Sequence, residues 1–312
     1  MSNDRYKPVL VICGPTASGK TRIGIEVAKK MNGEIISADA RQFYKMMSIG
    51  TAQPSLEERA EIPHHLVGFA DINNHISAAD FRKLAIECIE NIYAQGNLPI
   101  FVGGSGLYIR ALEEGFFEGP KRDSKYRLYL ENKIEKEGIE TIYRKLEKLD
   151  PETATRLHPN DRARIVRALE VYRSTGRSIT ALQKEGKYPQ TDYDFIKIGI
   201  RLRRDTLYQR INERVLRMVE DGLIAEVKMV YENLRPQSSH LFKTLAYREF
   251  KGYLDGEYDL DRAVYLTQLH TRHYAKRQMT WFRADKDIKW FNPEKIGVVD
   301  RIVRYFRNRI GI

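Results

Sequence analysis

The apolar run Val9, Leu10, Val11 and Ile12 predicts a strand over 9–13, and a helical pattern follows from Thr21 to about Met31. A second strand is predicted at Glu34 to Ser37, a helix near Ala79 to Gln95, and a third strand at Leu98 to Val102. Ser77 before Asp80 has the form of a capping box opening that helix, with Asp in place of the usual Glu. Pro99 and the glycines Gly103, Gly104 and Gly106 bound the third strand and open a loop at its carboxyl end. Strand alternating with helix implies an α/β fold, a parallel sheet covered by helices, whose ligands collect at the carboxyl edge.

From about Lys121 to Lys187 the pattern changes to mixed-charge helices with no strand, broken by Gly138, Pro151, Pro159, Gly176 and Gly186. An extended run returns at Phe195 to Leu202, and the remainder is mostly helical, including Asp205 to Glu220 and Asp261 to about Phe282. The expected organisation is a core of residues 1–120 and 188–312 with a helical insertion at 121–187.

Gly14, Pro15, Thr16, Ala17, Ser18, Gly19, Lys20 and Thr21 fill every position of G-x-x-x-x-G-K-[ST] directly after the first strand. The glycines let backbone amides curl toward an anion, Lys20 adds a positive charge, and the Thr21 hydroxyl is placed to hold Mg²⁺. The ligand should carry a diphosphate or triphosphate, and the fold class becomes a P-loop NTPase-like sheet with a helical insertion domain. Asp39, just past the second strand, reaches the same sheet edge, where it could be a general base, a helix cap or an indirect Mg²⁺ ligand.

The formal charge of +11 points to a polyanionic partner. A helix opening at Asn160 or Asp161, with Ile165, Leu169 and Tyr172 as its apolar stripe, holds Arg162, Arg164 and Arg167 in its first turns. Cations there oppose the helix dipole, which suggests an external anion; a solvated face paired with Asp161 and Glu170 is the alternative. Further on, Arg272, Lys276 and Arg283 fall on one helical stripe suited to a phosphate backbone, while Trp281 and Phe282 are expected in the core. His270 and His273 have no third metal ligand nearby. Cys13 and Cys88, within apolar runs and without a CxxC partner, are expected as reduced core residues, and zinc is not expected. With no apolar stretch near membrane-spanning length and a polar Met1–Lys7, the expected location is the cytoplasm, with no membrane partner.

The P-loop, Ile36–Tyr44, Ser48–Pro54, Pro63–Leu66, Ser77–Phe81, Val102–Tyr108, His158–Asp161 and Ala275–Gln278 occur in an order that resembles the bacterial tRNA dimethylallyltransferases, also called tRNA isopentenyltransferases. The likeness spans nearly the whole chain. It implies transfer of the dimethylallyl group of dimethylallyl diphosphate to N6 of adenine 37 in tRNA, with Mg²⁺ as cofactor and the protein a monomer. By the same resemblance Asp39 is the general base, Thr21 and Ser105 are active-site groups, and Arg204 joins the P-loop in holding diphosphate. It assigns tRNA contact to Asp39, Ala40, Arg41 and Gln42, to Ala163, Arg164, Ile165, Val166 and Arg167, and to Lys243, Thr244, Leu245, Ala246, Tyr247 and Arg248. The insertion is expected to close over the anticodon stem. The chain departs from the family pattern at Ala40, where Ser is common, at Ser105, where Thr is frequent, and at Ala246, where Gly is usual.

Without that resemblance, a small-molecule P-loop kinase would rank first, with Asp39 deprotonating an acceptor hydroxyl. Against it stand the excess positive charge and the lack of an acidic residue at the end of Leu98–Val102. A GTPase-like switch is disfavoured because the closest segment to NKxD, Asn132–Glu135, carries Glu and lies in a helical stretch.

Overall fold

The computed structural model describes residues 6–115, 119–120, 123–185, 192–235 and 241–312. The expected insertion limits Lys121 and Lys187, with Gly186, lie outside the described residues, as do Met1–Arg5. The chain divides into two compact units, residues 1–113 with 191–312, and residues 114–190.

The larger unit begins with β1 (Lys7–Cys13), α1 (Lys20–Met31), β2 (Gly33–Ser37), α2 (Ser48–Thr51), α3 (Leu56–Glu61), β3 (His64–His65), α4 (Ala78–Ala94), β4 (Leu98–Gly103) and α5 (Gly106–Glu114). The second unit contains α6 (Ser124–Glu137), α7 (Ile139–Leu149), α8 (Pro151–Arg156), α9 (Arg162–Thr175) and α10 (Ile179–Glu185). The first unit resumes with β5 (Tyr193–Ile200), α11 (Arg204–Glu220), α12 (Leu223–Asn233), α13 (Tyr247–Leu254), α14 (Leu260–Ala284), β6 (Lys289–Phe291) and α15 (Val298–Ile310).

The sheet has six parallel strands in the order β3-β2-β4-β1-β5-β6, with Leu10 of β1 registered against Ile100 of β4 and Ile196 of β5. Central strands of a parallel sheet are covered on both faces, which is why Val9 to Ile12 form an unbroken apolar run, all fully buried. Leu10, Ile12, Ile100 and Ile198 pack with Ile23 and Val27 of α1 and Ile302 and Phe306 of α15. Elsewhere in the core Phe81 of α4 stacks on Tyr108 at 4.8 Å and meets Phe101 of β4 edge-on. The Ser77–Asp80 capping box is present. The loops after β1, β2 and β4 therefore leave the same edge from adjacent strands.

The smaller unit encloses its own core, in which Leu130 and Ile134 of α6 and Ile142 and Leu146 of α7 meet Ile165 and Leu169 of α9. Asp161 caps α9, accepting the Arg164 N–H at 3.2 Å. Glu170 is buried in this unit and held by Arg127 at 2.6 Å.

Candidate functional site

Gly14 follows β1 with φ 141°, and any Cβ there would collide with the Ile200 carbonyl, so the turn out of the sheet requires glycine. Gly19, left-handed at φ 89°, enters α1, whose first-turn amides have no side-chain cap and remain available to an anion. Ser18 is fully buried with no partner for its Oγ. Lys20 Nζ donates to the Pro15 carbonyl at 2.6 Å. Burial lowers its pKa to about 8; the Asp39 carboxylate opposes that shift and the Arg214 guanidinium adds to it.

These residues wall a cavity of about 560 Å³ that brings together Thr16, Ala17, Gly19, Lys20 and Thr21 with Asp39 and Gln42. Asp39 Oδ1 accepts the Arg41 N–H at 3.0 Å. Ser105 joins the neighbouring loop to that segment: its Oγ accepts the Ala40 N–H at 3.0 Å, and its own N–H donates to Ala38 O at 3.1 Å. Tyr274 of α14 hydrogen-bonds to Ser105, and its hydroxyl pKa is raised by burial first and by Asp39 second. Gln42 is tied down through Ser37 Oγ at 2.9 Å and Ala52 O at 2.8 Å. The wall at Thr51–Pro54 follows α2, which is held from beneath by Glu226. That carboxylate, 5% exposed, accepts from Ser48 Oγ at 3.0 Å, from the Ile49 and Gly50 N–H groups at 2.8 Å each, and from the Tyr247 hydroxyl at 2.6 Å.

Three arginines of α11 also line the cavity, Arg210, Arg214 and Arg217. Arg214 Nη1 donates to Thr16 Oγ1 at 3.3 Å, and burial lowers its pKa most while Asp39 pulls it back. Their spacing, i, i+4 and i+7 within a predicted helix, is the signal that could have singled them out. Arg204 lies outside the cavity lining; it is exposed, with its guanidinium 5.1 Å from the Tyr208 ring centre. His64 lines the cavity too, its Nδ1 on Ile62 O at 2.7 Å and its pKa lowered by burial.

Segment 163–167 lies in the smaller unit. Ile165 and Val166 are buried in that unit's core, Ala163 is exposed, and Arg164 is 67% exposed beside Asp161 at 3.0 Å. Arg162 pairs with Glu135 at 2.6 Å, and Arg167 donates to Pro120 O at 2.9 Å while its Nη1, buried without a hydrogen bond, lies 3.9 Å from the Glu170 carboxylate. In segment 243–248 the side chains of Thr244 and Tyr247 are buried, whereas Lys243 and Arg248 are exposed. Ala246, at the position where glycine is usual, adopts φ 69° and ψ −51°. Of the predicted basic stripe, Lys276 and Arg283 are exposed, but Arg272 bonds Asn212 Oδ1 at 2.6 Å. Trp281, expected in the core, is 39% exposed, because it packs over the backbone of Gly106; Phe282 is buried. Burial raises the Cys13 thiol pKa to about 12, in keeping with a core residue.

Among the described residues no group of three or more His, Cys, Asp or Glu side chains could hold a metal ion. Oxygen donors at the cavity include the Thr21 hydroxyl and the Asp39 carboxylate. Such a set fits Mg²⁺, which takes few protein ligands and completes its shell with phosphate oxygens and water.

The sequence profile described as IPP transferase matches residues 42–285. The chain belongs to the IPP transferase family. A family relative from Geotalea uraniireducens, tRNA dimethylallyltransferase 2, is 45% identical over 305 residues, covering 97% of this chain and 98% of its own. The solved tRNA isopentenylpyrophosphate transferase of Bacillus halodurans, 38% identical, superposes with a TM-score of 0.71 over 98% of this chain and 97% of that one. A eukaryotic dimethylallyltransferase solved acting on tRNA, 29% identical, gives 0.79 over 98% of this chain and 80% of its own. Family membership thus accords with the α/β sheet and its phosphate loop. No described helix is long and apolar enough to cross a membrane.

Proposed function

We propose that the chain transfers the dimethylallyl group from dimethylallyl diphosphate to N6 of adenine 37 in tRNA, releasing diphosphate. The observation that carries this reading is the meeting of Lys20, Thr21 and Asp39 in one cavity with Arg214 overhead. Cations and loop amides would grip the diphosphate, while the carboxylate stands ready for the proton of an incoming amine.

In the reaction the bond between the allylic carbon and the diphosphate oxygen breaks as a bond from N6 to that carbon forms. Negative charge grows on the departing oxygens, where the α1 amides, Lys20 and Arg214 stabilise it. Thr21 would hold Mg²⁺, whose charge would supply further neutralisation there. An exocyclic adenine amine is a weak nucleophile until it loses a proton, and Asp39, oriented by the Arg41 N–H, receives that proton. Ser105 holds the Asp39 loop through the Ala40 N–H. The target base must be drawn out of the anticodon stack, at a cost of a few kcal/mol. The exposed cations Arg164, Lys243 and Arg248 are assigned to the RNA backbone contacts that offset this cost. The helical unit is assigned to tRNA as well, and a single chain suffices for the chemistry.

The test is incubation with Mg²⁺, dimethylallyl diphosphate and unmodified tRNA, with mass mapping of the adenosine that gains one prenyl unit. Asp39→Ala should abolish transfer while tRNA affinity stays within about tenfold. Unaltered RNA, with ADP released from ATP and a small acceptor, would instead establish the kinase reading.

A further inference from the structure

Gln278 lies on α14, 262 positions from one of the loops it touches and 174 from the other, and is only 5% exposed. Its Oε1 accepts the Thr16 N–H at 2.9 Å, and its Nε2 donates to the Gly104 carbonyl at 2.9 Å. Those neighbours fix the orientation of the amide, since one can only donate and the other only accept. A Cβ at Gly104 would overlap Gln278 Nε2, so the close approach requires glycine. Thr16 is thereby held twice, its N–H by α14 and its hydroxyl by Arg214 of α11. With that N–H turned toward Gln278, gripping phosphate falls to the later amides of the loop and the first turn of α1.

We infer that Gln278 is a positioning residue for the transfer reaction, locking the phosphate loop and the Gly103–Gly106 loop at a fixed separation. The inference rests on the proposed prenyl transfer. The first loop holds the leaving group; the second carries Ser105, which braces the segment bearing Asp39. A displacement requires nucleophile, carbon and leaving oxygen in line, and a misplacement of about 1 Å can cost about a hundredfold in rate. Gln278 joins the two sides without contributing charge, so its loss should act on turnover more than on the binding of either substrate.

Three variants test this. Gln278→Leu removes both hydrogen bonds, and Gln278→Glu keeps acceptance from Thr16 but sets a carboxylate oxygen against the Gly104 carbonyl. Gly104→Ala separates the pair from the other side. Each should lower kcat by about tenfold or more, with KM for both substrates within about threefold. For Gln278→Glu the deficit should narrow at least about threefold between about pH 8 and pH 6, as the carboxyl gains a proton and can donate to Gly104. Gln278→Leu should show no such recovery. Hydrogen exchange at the Thr16 amide should quicken in Gln278→Leu whatever the activity.

A kcat within about twofold of the parent in Gln278→Leu, a pH-independent deficit in Gln278→Glu, or unchanged exchange at Thr16 would overturn the positioning role. If Gln278→Leu does not fold, the isosteric Gln278→Glu and its pH profile decide. Parent protein that leaves RNA unmodified would overturn the transfer reading alone, with the exchange experiment still deciding whether Gln278 holds the loop.

Discussion

Arg214 Nη1 stands 3.3 Å from Thr16 Oγ1, so a cation on α11 reaches the middle of a loop that lies 198 residues earlier in the chain. Burial strips water from that guanidinium, and a multiply charged anion in the cavity is the ligand that would restore what it loses.

Arg214→Ala is therefore expected to raise KM for dimethylallyl diphosphate by about tenfold or more, since a charge-assisted hydrogen bond contributes about 1.5–3 kcal/mol. Arg204→Ala, exposed and stacked on Tyr208, should stay within about twofold. Steady-state kinetics with tRNA saturating would check the ranking, and the reverse order would return the role to Arg204.

The lowered Lys20 pKa sets a pH limit. Below about pH 8 the ammonium is charged and can grip diphosphate; above it the free protein loses that charge. We expect kcat/KM for dimethylallyl diphosphate to fall as pH rises through about 8, and Lys20→Arg to remove that fall even if its rate is lower. For stability the sign is opposite. The unfolded chain, with an ordinary lysine pKa, binds the proton more tightly, so this residue adds stability as pH climbs from about 8 to 10.5. A kcat/KM profile flat through pH 9 would count against Lys20 as the gripping cation.

Arg164 and Arg167 have partners inside their own unit, but Arg164's is an exposed pair, and such pairs contribute little. Replacing either by Gln should reduce the slope of log affinity for tRNA against log salt by about one per lost phosphate contact. Filter binding across a salt series measures it. Slopes identical to the parent's would leave these arginines as surface charge serving the helical unit alone.

Ala246 holds φ 69° and ψ −51°, close to the rare γ-turn geometry that a Cβ disfavours. Ala246→Gly should raise stability by about 1 kcal/mol, because relief of backbone strain exceeds the extra freedom gained by the unfolded chain. Urea unfolding would register this as a higher midpoint at unchanged slope, and a lower midpoint would refute it.

The sheet was readable where its strands are buried on both faces, since Val9–Ile12 and Leu98–Val102 then appear as continuous apolar runs. The edge strands His64–His65 and Lys289–Phe291 are too short to show a period. The phosphate loop was legible because its glycines, lysine and threonine are adjacent in sequence. Arg214 showed only as one of three arginines at i, i+4 and i+7, and the role of Gln278 did not show, because what defines each is a partner about two hundred residues away. Periodicity gave Arg272 its angle on the helix but not its neighbour Asn212, and it could not foresee that Gly106 offers Trp281 a place to lie flat at the surface.

Glu226 fastens a turn 177 residues upstream. During synthesis the wall at Thr51–Pro54 thus has no anchor until α12 and then Tyr247 have left the ribosome, so a nascent chain that has not yet released them cannot complete its pocket.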